Sequence, residues 1–381
     1  MLKVLHIITQ LVLGGAQDNT LITIAKHDRS KFHVHLASAP HGLWLERSKK
    51  VADVFYPISH LVNPISPLQD IIALIEIIRL LRREKFDIIH THSSKAGILG
   101  RWAGRLAGIP VIVHTVHGFS FHDFMPTWKK QLYIFLERIS RSCGDFYITV
   151  SELNRQEAVQ LKFFKLDNSI TIYSGIDFKK LDREVDLTLV KHQIGIPDKW
   201  QTIVSVGRLD AQKAPHFLID AFAQVLSYYP ETVLLLVGDG ELRQELEAQV
   251  NRLNITSKVY FLGSREDVPE ILKIADIFAL SSLWEGLGRA MTEAMLVGKP
   301  VVVPAIYGIP EIVHHQETGL LFEAKNVEQL ATHLVYLLQH PEERDRLGQN
   351  AKNLTRKLFD GDAMVRQIEE VYEKLLQEKI H

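Results

Sequence analysis

Two glutamates, Glu285 and Glu293, lie in the stretch Ser282-Leu-Trp-Glu-Gly-Leu-Gly-Arg-Ala-Met-Thr-Glu-Ala-Met-Leu-Val-Gly-Lys-Pro-Val-Val-Val303. Locally this reads as a loop, a short helix, a Gly-Lys-Pro stop and a buried strand, with Asp276-Ile-Phe-Ala-Leu280 before it as another buried strand. Glu285 then stands at a strand's carboxyl end. Glu293 lies about two turns along a helix opened by Gly286 and Gly288, within roughly a quarter turn of Glu285. The amides of Leu287, Gly288 and Arg289 are expected at the positive end of the helix dipole, with no helical acceptor. That is an anion site. An anion flanked by two carboxylates describes a ligand with a phosphate in the middle and hydroxyls at both ends, such as a nucleoside diphosphate sugar. The plainer alternative is a pair of solvated helix-end charges.

Further polar groups fall at strand ends. Arg208 follows the strand Gln201-Thr-Ile-Val-Ser-Val-Gly207, and Lys213 precedes a helix. A guanidinium fork and an ammonium at one sheet edge suit phosphate oxygens. Gly14 and Gly15 separate the first strand from a helix, where they serve either a close ligand or a plain tight turn. Val111-Ile-Val-His-Thr-Val-His-Gly-Phe-Ser-Phe-His-Asp123 ends an apolar strand in histidines, at the edge where open α/β sheets place ligands. His90 and His92 are spaced like a metal pair, but no third ligand has a recognisable spacing, so zinc is not expected. Ser151 is expected to cap a helix.

These residues need two scaffolds. At 381 residues, 46% hydrophobic and 23% charged, the chain has the composition of a soluble globular protein of two domains. Strand and helix alternate from Lys3 to about Asp177 and again from Gln201 onward, giving two doubly wound α/β domains facing across a cleft. The charged stretch between them reads as linker and hinge. The boundaries are set at 1–182 for the first domain and 183–359 for the second, with a last helix, 360–381, carrying Met364, Ile368, Val371 and Leu375 at helical spacing.

The single cysteine, Cys143, excludes an intrachain disulfide and fits a reducing compartment. No apolar run is long enough for a membrane helix, and the start reads as a strand rather than a signal peptide. A cytoplasmic location follows. Residues 1–184 hold 24 Lys and Arg against 17 Asp and Glu, a net +7, and the remainder carries −8. A basic first half suits an anionic lipid surface or an acidic substrate, or is unpatterned surface charge. The basic end of the Leu68–Lys85 helix is read as solvated rather than membrane-bound. Nucleic acid is disfavoured, because there is no recognition motif and no dense basic stripe.

The Glu285-to-Glu293 spacing resembles the signature of retaining GT-B glycosyltransferases of family 4. Gly298-Lys-Pro-Val-Val-Val303, Tyr307-Gly-Ile-Pro-Glu-Ile-Val313 and Thr318-Gly-Leu-Leu-Phe322 match it too. Thr91-His-Ser-Ser-Lys-Ala-Gly97 with Thr115-Val-His-Gly-Phe-Ser-Phe-His122 resembles the bacterial capsular and exopolysaccharide branch. The resemblance implies that the terminal helix packs back on the first domain. It puts Arg208 and Lys213 on the diphosphate, the backbone of Gly263 to Arg265 against the base, and Arg289 as a third cation. Glu293 would hold the ribose, Glu285 the donor sugar, and His117 would face the transferred sugar, with Gly14 and Gly15 bordering the phosphates and the acceptor. The structural role leads for His92, His114 and His122. Where the family has Lys-Gly, this chain has Lys213-Ala214-Pro215, which questions the loop's shape.

The implied activity is transfer of a hexose-type sugar from a nucleotide sugar, UDP-linked by expectation. The acceptor would be a saccharide or lipid-linked saccharide, with retention, no metal, and possible contact with the inner face of the membrane. The rivals are a non-hydrolysing nucleotide-sugar epimerase, a non-catalytic nucleotide-sugar-binding subunit, and a sugar-phosphate synthase of the same fold.

Overall fold

A computed structural model describes residues 1–12, 14–121 and 125–380. The chain forms two compact units, Met1–Ile176 with Phe359–His381, and Asp177–Leu358.

The first unit carries β1 (Leu2–Ile7), β2 (Phe32–Ser38), β3 (Val54–Pro57), β4 (Ile88–His92), β5 (Val111–Val116), β6 (Phe146–Thr149) and β7 (Ser169–Thr171). They make one parallel sheet in the order β3-β2-β1-β4-β5-β6-β7. Helices on both faces bury the strands: all five residues of β4 are buried, its two histidines included. His6 pairs in register with His90 across β1 and β4, and His92, two residues on, shares their face.

The terminal helix Gly361–Ile380 packs against the helix Gly15–Lys26 and this sheet. Met364, Ile368, Val371 and Leu375 are all buried there, as their spacing predicts. Cys143 is buried, and Ser151 caps the helix Glu152–Gln160 by accepting from the Asn154 amide.

The second unit carries β8 (Gln201–Val206), β9 (Thr232–Val237), β10 (Val259–Gly263), β11 (Ile277–Ala279), β12 (Val301–Pro304) and β13 (Leu320–Phe322). Their parallel order is β10-β9-β8-β11-β12-β13. In each sheet the order reverses once, between β1 and β4 and between β8 and β11. Such a switch point leaves a crevice outside the strands' carboxyl ends.

The segment after Asp177 is not an irregular linker. It forms helices Phe178–Leu181 and Leu187–Ile194, because Asp177 and Asp186 cap them by accepting from the Lys179 and Leu189 amides. The chain passes between units at Ile176/Asp177 rather than after residue 182. Ile176 donates its amide to Phe359 O, whereas Asp182 is bound by Arg356 of the second unit. Among the described residues, no helix is long and apolar enough to cross a membrane.

Candidate functional site

In the second unit the switch point falls where the sequence puts its charges. Arg208 lies just beyond β8, and Ser281 to Glu285 lie just beyond β11. Two backbone-directed contacts lock these loops together. Leu283 N–H donates to Gln212 O at 2.8 Å, and Gln212 Nε2 donates to Trp284 O at 2.9 Å. Lys213 thereby reaches Glu285, its ammonium in contact with Oε1, while Ser282 Oγ donates to the same oxygen at 2.8 Å. Arg208 Nη2 is 3.0 Å from both Asp210 Oδ2 and Gln212 Oε1, with most of its side chain in solvent. Arg208 and Lys213 line one hollow with Ser205, Gly207 and Pro215.

Ala214 occupies the left-handed region at φ 44°, ψ 50°, directly before the helix Pro215–Leu226. The doubt raised by the missing glycine is thus answered locally: alanine takes the conformation that a glycine adopts without strain.

The helix expected after Glu285 begins later than predicted. It spans Arg289–Leu296, with Gly288 at φ 86° as its N-cap residue. The first helical amide to meet a helical carbonyl is Thr292 N–H, which donates to Gly288 O at 3.1 Å. The first-turn amides are therefore those of Gly288 to Met291, and Leu287 falls outside the helix. Leu287 is buried in the loop. Glu285 lies off the helix, so the quarter-turn relation to Glu293 does not hold as a helical angle. Glu293 instead sits one turn beyond Arg289, whose Nε donates to Glu293 Oε1 at 2.9 Å. The two glutamates are thus each engaged by a cation that the sequence assigns to phosphate.

Glycines close the rim. A Cβ at Gly238, φ 128°, would stand 2.0 Å from Gly207 O, so no side chain fits there. Gly238 N–H donates to Gly263 O at 2.8 Å, aligning the ends of β8, β9 and β10. Arg265 forks onto Asp267 at 2.5 and 2.7 Å. Asp210, Gln212 and Ser282 are the residues that sequence reasoning missed. They lie inside stretches it had already singled out, but contacts made across two loops leave no periodic signal in sequence.

In the first unit, Gly15 begins the helix Gly15–Lys26 with Gly14 as N-cap, in an extended conformation open to any residue. Gly14 is therefore not demanded by its backbone. His117 follows β5 and lines a hollow with Ser93, Ser94, Ser120, Phe119 and Phe121. Gly118 after it has φ 146°. His92 and His114 are buried in the sheet, His114 Nδ1 lying 2.9 Å from Thr91 Oγ1. His122 lies outside the described residues. His6 from β1 brings a third imidazole to His90 and His92, with ring nitrogens within 4.8 Å of one another, a neighbour that sequence spacing could not reveal.

Two doubly wound units with a cationic switch-point site define the class of GT-B glycosyltransferases. Residues 188–354 match the family described as Glycosyl transferases group 1, and residues 14–180 match Glycosyltransferase Family 4. The chain is 30% identical over 374 residues, 97% of its length and 95% of the relative's, to the Escherichia coli UDP-Gal:alpha-D-GlcNAc-diphosphoundecaprenol alpha-1,3-galactosyltransferase. It is 24% identical over 330 residues, 84% and 86% of the two chains, to the Staphylococcus aureus capsular polysaccharide biosynthesis glycosyltransferase CapM. The crystal structure of Anabaena HepE in complex with UDP and glucose shares the fold, with a TM-score of 0.86 at 24% identity, covering 98% of this chain and all of that one. The chain belongs to the family 4, group 1 glycosyltransferases.

Proposed function

We propose that this enzyme moves a hexose from a UDP-sugar to a lipid-linked saccharide, with retention at the anomeric carbon and without a metal ion. The observation that carries the reading is the Lys213–Glu285 pair beside Arg208 at the β8/β11 switch point. A pyrophosphate there meets Arg208, Lys213 and the first-turn amides of the Arg289–Leu296 helix, which stabilise the charge that grows on the departing UDP. Glu285 orients the donor sugar through its hydroxyls and Glu293 accepts from the ribose. In the first unit, His117 faces the transferred sugar, and Gly14 and Gly15 border the phosphates.

The acceptor hydroxyl attacks the anomeric carbon from the face that UDP leaves, and a phosphate oxygen of the departing UDP takes its proton. Glu285, neutralised by Lys213 and Ser282, is a poor covalent nucleophile, which supports this same-face path over a glycosyl-enzyme intermediate. Three cations near the leaving group, Arg208, Lys213 and Arg289, supply the charge that a metal would otherwise bring.

The named activity of the Escherichia coli relative, on UDP-Gal and an undecaprenol-linked acceptor, supports both the UDP donor and the lipid-linked acceptor. Membrane contact through the first unit is supported by the helix Thr127–Ser140, which exposes Trp128, Phe135 and Ile139 and also carries Lys129, Lys130 and Arg138. The test is a panel of nucleotide sugars read by thermal unfolding. A true donor at 100 times its Kd should add about 2.7 kcal/mol. That donor should then release UDP only with a lipid-linked acceptor, and equally well after chelation. An isomerised sugar still attached to UDP, formed without acceptor, would refute transfer.

A further inference from the structure

The hollow beside His117 has one wall that the proposed reaction leaves unused. The helix Thr127–Ser140 places Tyr133 and Glu137 on it, one turn apart. Phe119, Phe121 and Phe163 line the same hollow. Phe119 stacks on Phe121 at 5.0 Å, and Phe163 meets the two rings edge-on at 5.8 and 6.0 Å. Phe121 is buried and Phe119 half-buried, so Phe119 is the ring that this group presents.

Glu137 is held from behind. Arg101, with none of its side chain exposed, donates from Nη2 to Glu137 Oε2 at 2.6 Å. Its Nε donates to Gly97 O at 2.9 Å and its Nη1 to Tyr147 Oη at 3.3 Å. Guanidinium–carboxylate pairs frequently fork across both oxygens, but this one takes Oε2 alone. Oε1 has no hydrogen-bond partner among the described residues, on a side chain that is 17% exposed. A carboxylate oxygen at the wall of an aromatic-lined hollow calls for a donor from whatever fills that hollow.

The lining defines the class of that donor. No lysine or arginine lines the hollow, so it is not built for phosphate. It offers the hydroxyls of Ser94 and Ser120, which touch each other, beside an aromatic ring and a carboxylate oxygen. A pyranose matches each of these. Its apolar face packs on Phe119, and its hydroxyls exchange hydrogen bonds with the polar groups. We infer that the hollow seats the acceptor's pyranose ring, and that Glu137 Oε1 accepts one ring hydroxyl and selects the acceptor sugar by that group. Its identity as the acceptor's ring rests on the reading that the enzyme transfers to a saccharide. Trp128, Phe135 and Ile139 stand exposed roughly half a turn around the same helix. One helix thus carries the sugar wall on one side and the proposed membrane face on the other, which suits a sugar tethered to lipid.

The test uses the full chain and a panel of octyl pyranosides of glucose, galactose, mannose and N-acetylglucosamine, followed by the monodeoxy analogues of the tightest binder, read by calorimetric titration. One monodeoxy analogue should bind the wild type roughly ten- to hundredfold more weakly than its parent, the worth of a hydrogen bond to a charged group. In Glu137→Gln that ratio should shrink to about fivefold or less, as for a neutral acceptor. A Glu137 that only neutralises Arg101 would weaken parent and analogue alike, and an unchanged ratio overturns the inference. Should Glu137→Gln fail to fold, Phe119→Ala decides, because it leaves the Arg101 pair in place. It should weaken the parent sugar about tenfold by removing the ring on which it packs. Unchanged binding in that variant overturns the inference, as does a panel in which nothing binds or in which no single hydroxyl matters.

A kinetic arm separates the sugar seat from the transfer reaction. With the tightest pyranoside as acceptor, Glu137→Gln should raise the acceptor KM by the factor lost in binding and leave the KM of the UDP-sugar unchanged. Binding that depends on Glu137 without any UDP release keeps the sugar seat and refutes transfer. UDP release indifferent to Glu137 keeps transfer and removes the acceptor from this hollow.

Discussion

Lys213 Nζ rests on Glu285 Oε1, and Ser282 Oγ donates to that oxygen at 2.8 Å, with only 6% of the Glu285 side chain exposed. A carboxylate so far from water depends on its partner. Lys213→Ala should therefore destabilise the fold by about 3–5 kcal/mol, since it strands a buried charge. Glu285→Gln added to it should recover much of that loss. Urea unfolding of the two single variants and the double variant measures the coupling, and additive effects would contradict it.

Arg208 provides the contrast, because 66% of its side chain is exposed. Arg208→Ala should leave stability within about 0.5 kcal/mol of wild type. It should nevertheless cost roughly 10²–10³ in kcat by removing a donor from the leaving diphosphate. Turnover at wild-type level would remove Arg208 from the phosphate site.

Glu293 and Arg289 pair across one helix turn, with 21% and 17% of their side chains exposed. Glu293→Gln keeps an oxygen that can accept from Arg289, so its cost to stability should stay near that of one hydrogen bond, about 1 kcal/mol. If the carboxylate holds the ribose, the same change should weaken UDP binding about tenfold or more, as expected for a charge-assisted hydrogen bond. Calorimetric titration with UDP reads this directly.

Acid should undo the first unit. Burial lowers His6, His90, His92 and His114 well below the usual value of 6.5. In the window between those native values and 6.5 the unfolded chain binds more protons. Stability is therefore intact above about pH 6.5 and falls as the pH drops below it. The slope approaches about 1.4 kcal/mol per pH unit for each such histidine. Denaturant midpoints taken from pH 7.5 down to pH 5 should decline steeply, and a flat profile would mean that these rings are protonated in the fold.

Trp128 and Phe135 stand exposed on the Thr127–Ser140 helix. Replacing both by alanine should reduce sedimentation with vesicles containing anionic lipid while leaving UDP-sugar binding unchanged. Equal sedimentation would place any membrane contact elsewhere.

The strands, the two-unit plan and the charged ends of β8 and β11 were legible because parallel sheets demand long apolar runs and their ligands gather at carboxyl edges. Less legible was the stretch from Asp177 to Trp200. Its charge suggested a linker, yet Asp177 and Asp186 act as helix caps. The helix after Glu285 was foreseen but placed too early, since nothing local distinguishes Gly286 from Gly288 as its first cap.

The sequence alone determined which residue types this site possesses and roughly where along the strands they fall, because periodicity and turn chemistry are local properties. Only the tertiary structure decided their partners. Glu285 meets Lys213 across two loops, and Glu369 reaches His27 from the far end of the chain, because strand order and helix docking bring together residues that no spacing in sequence relates.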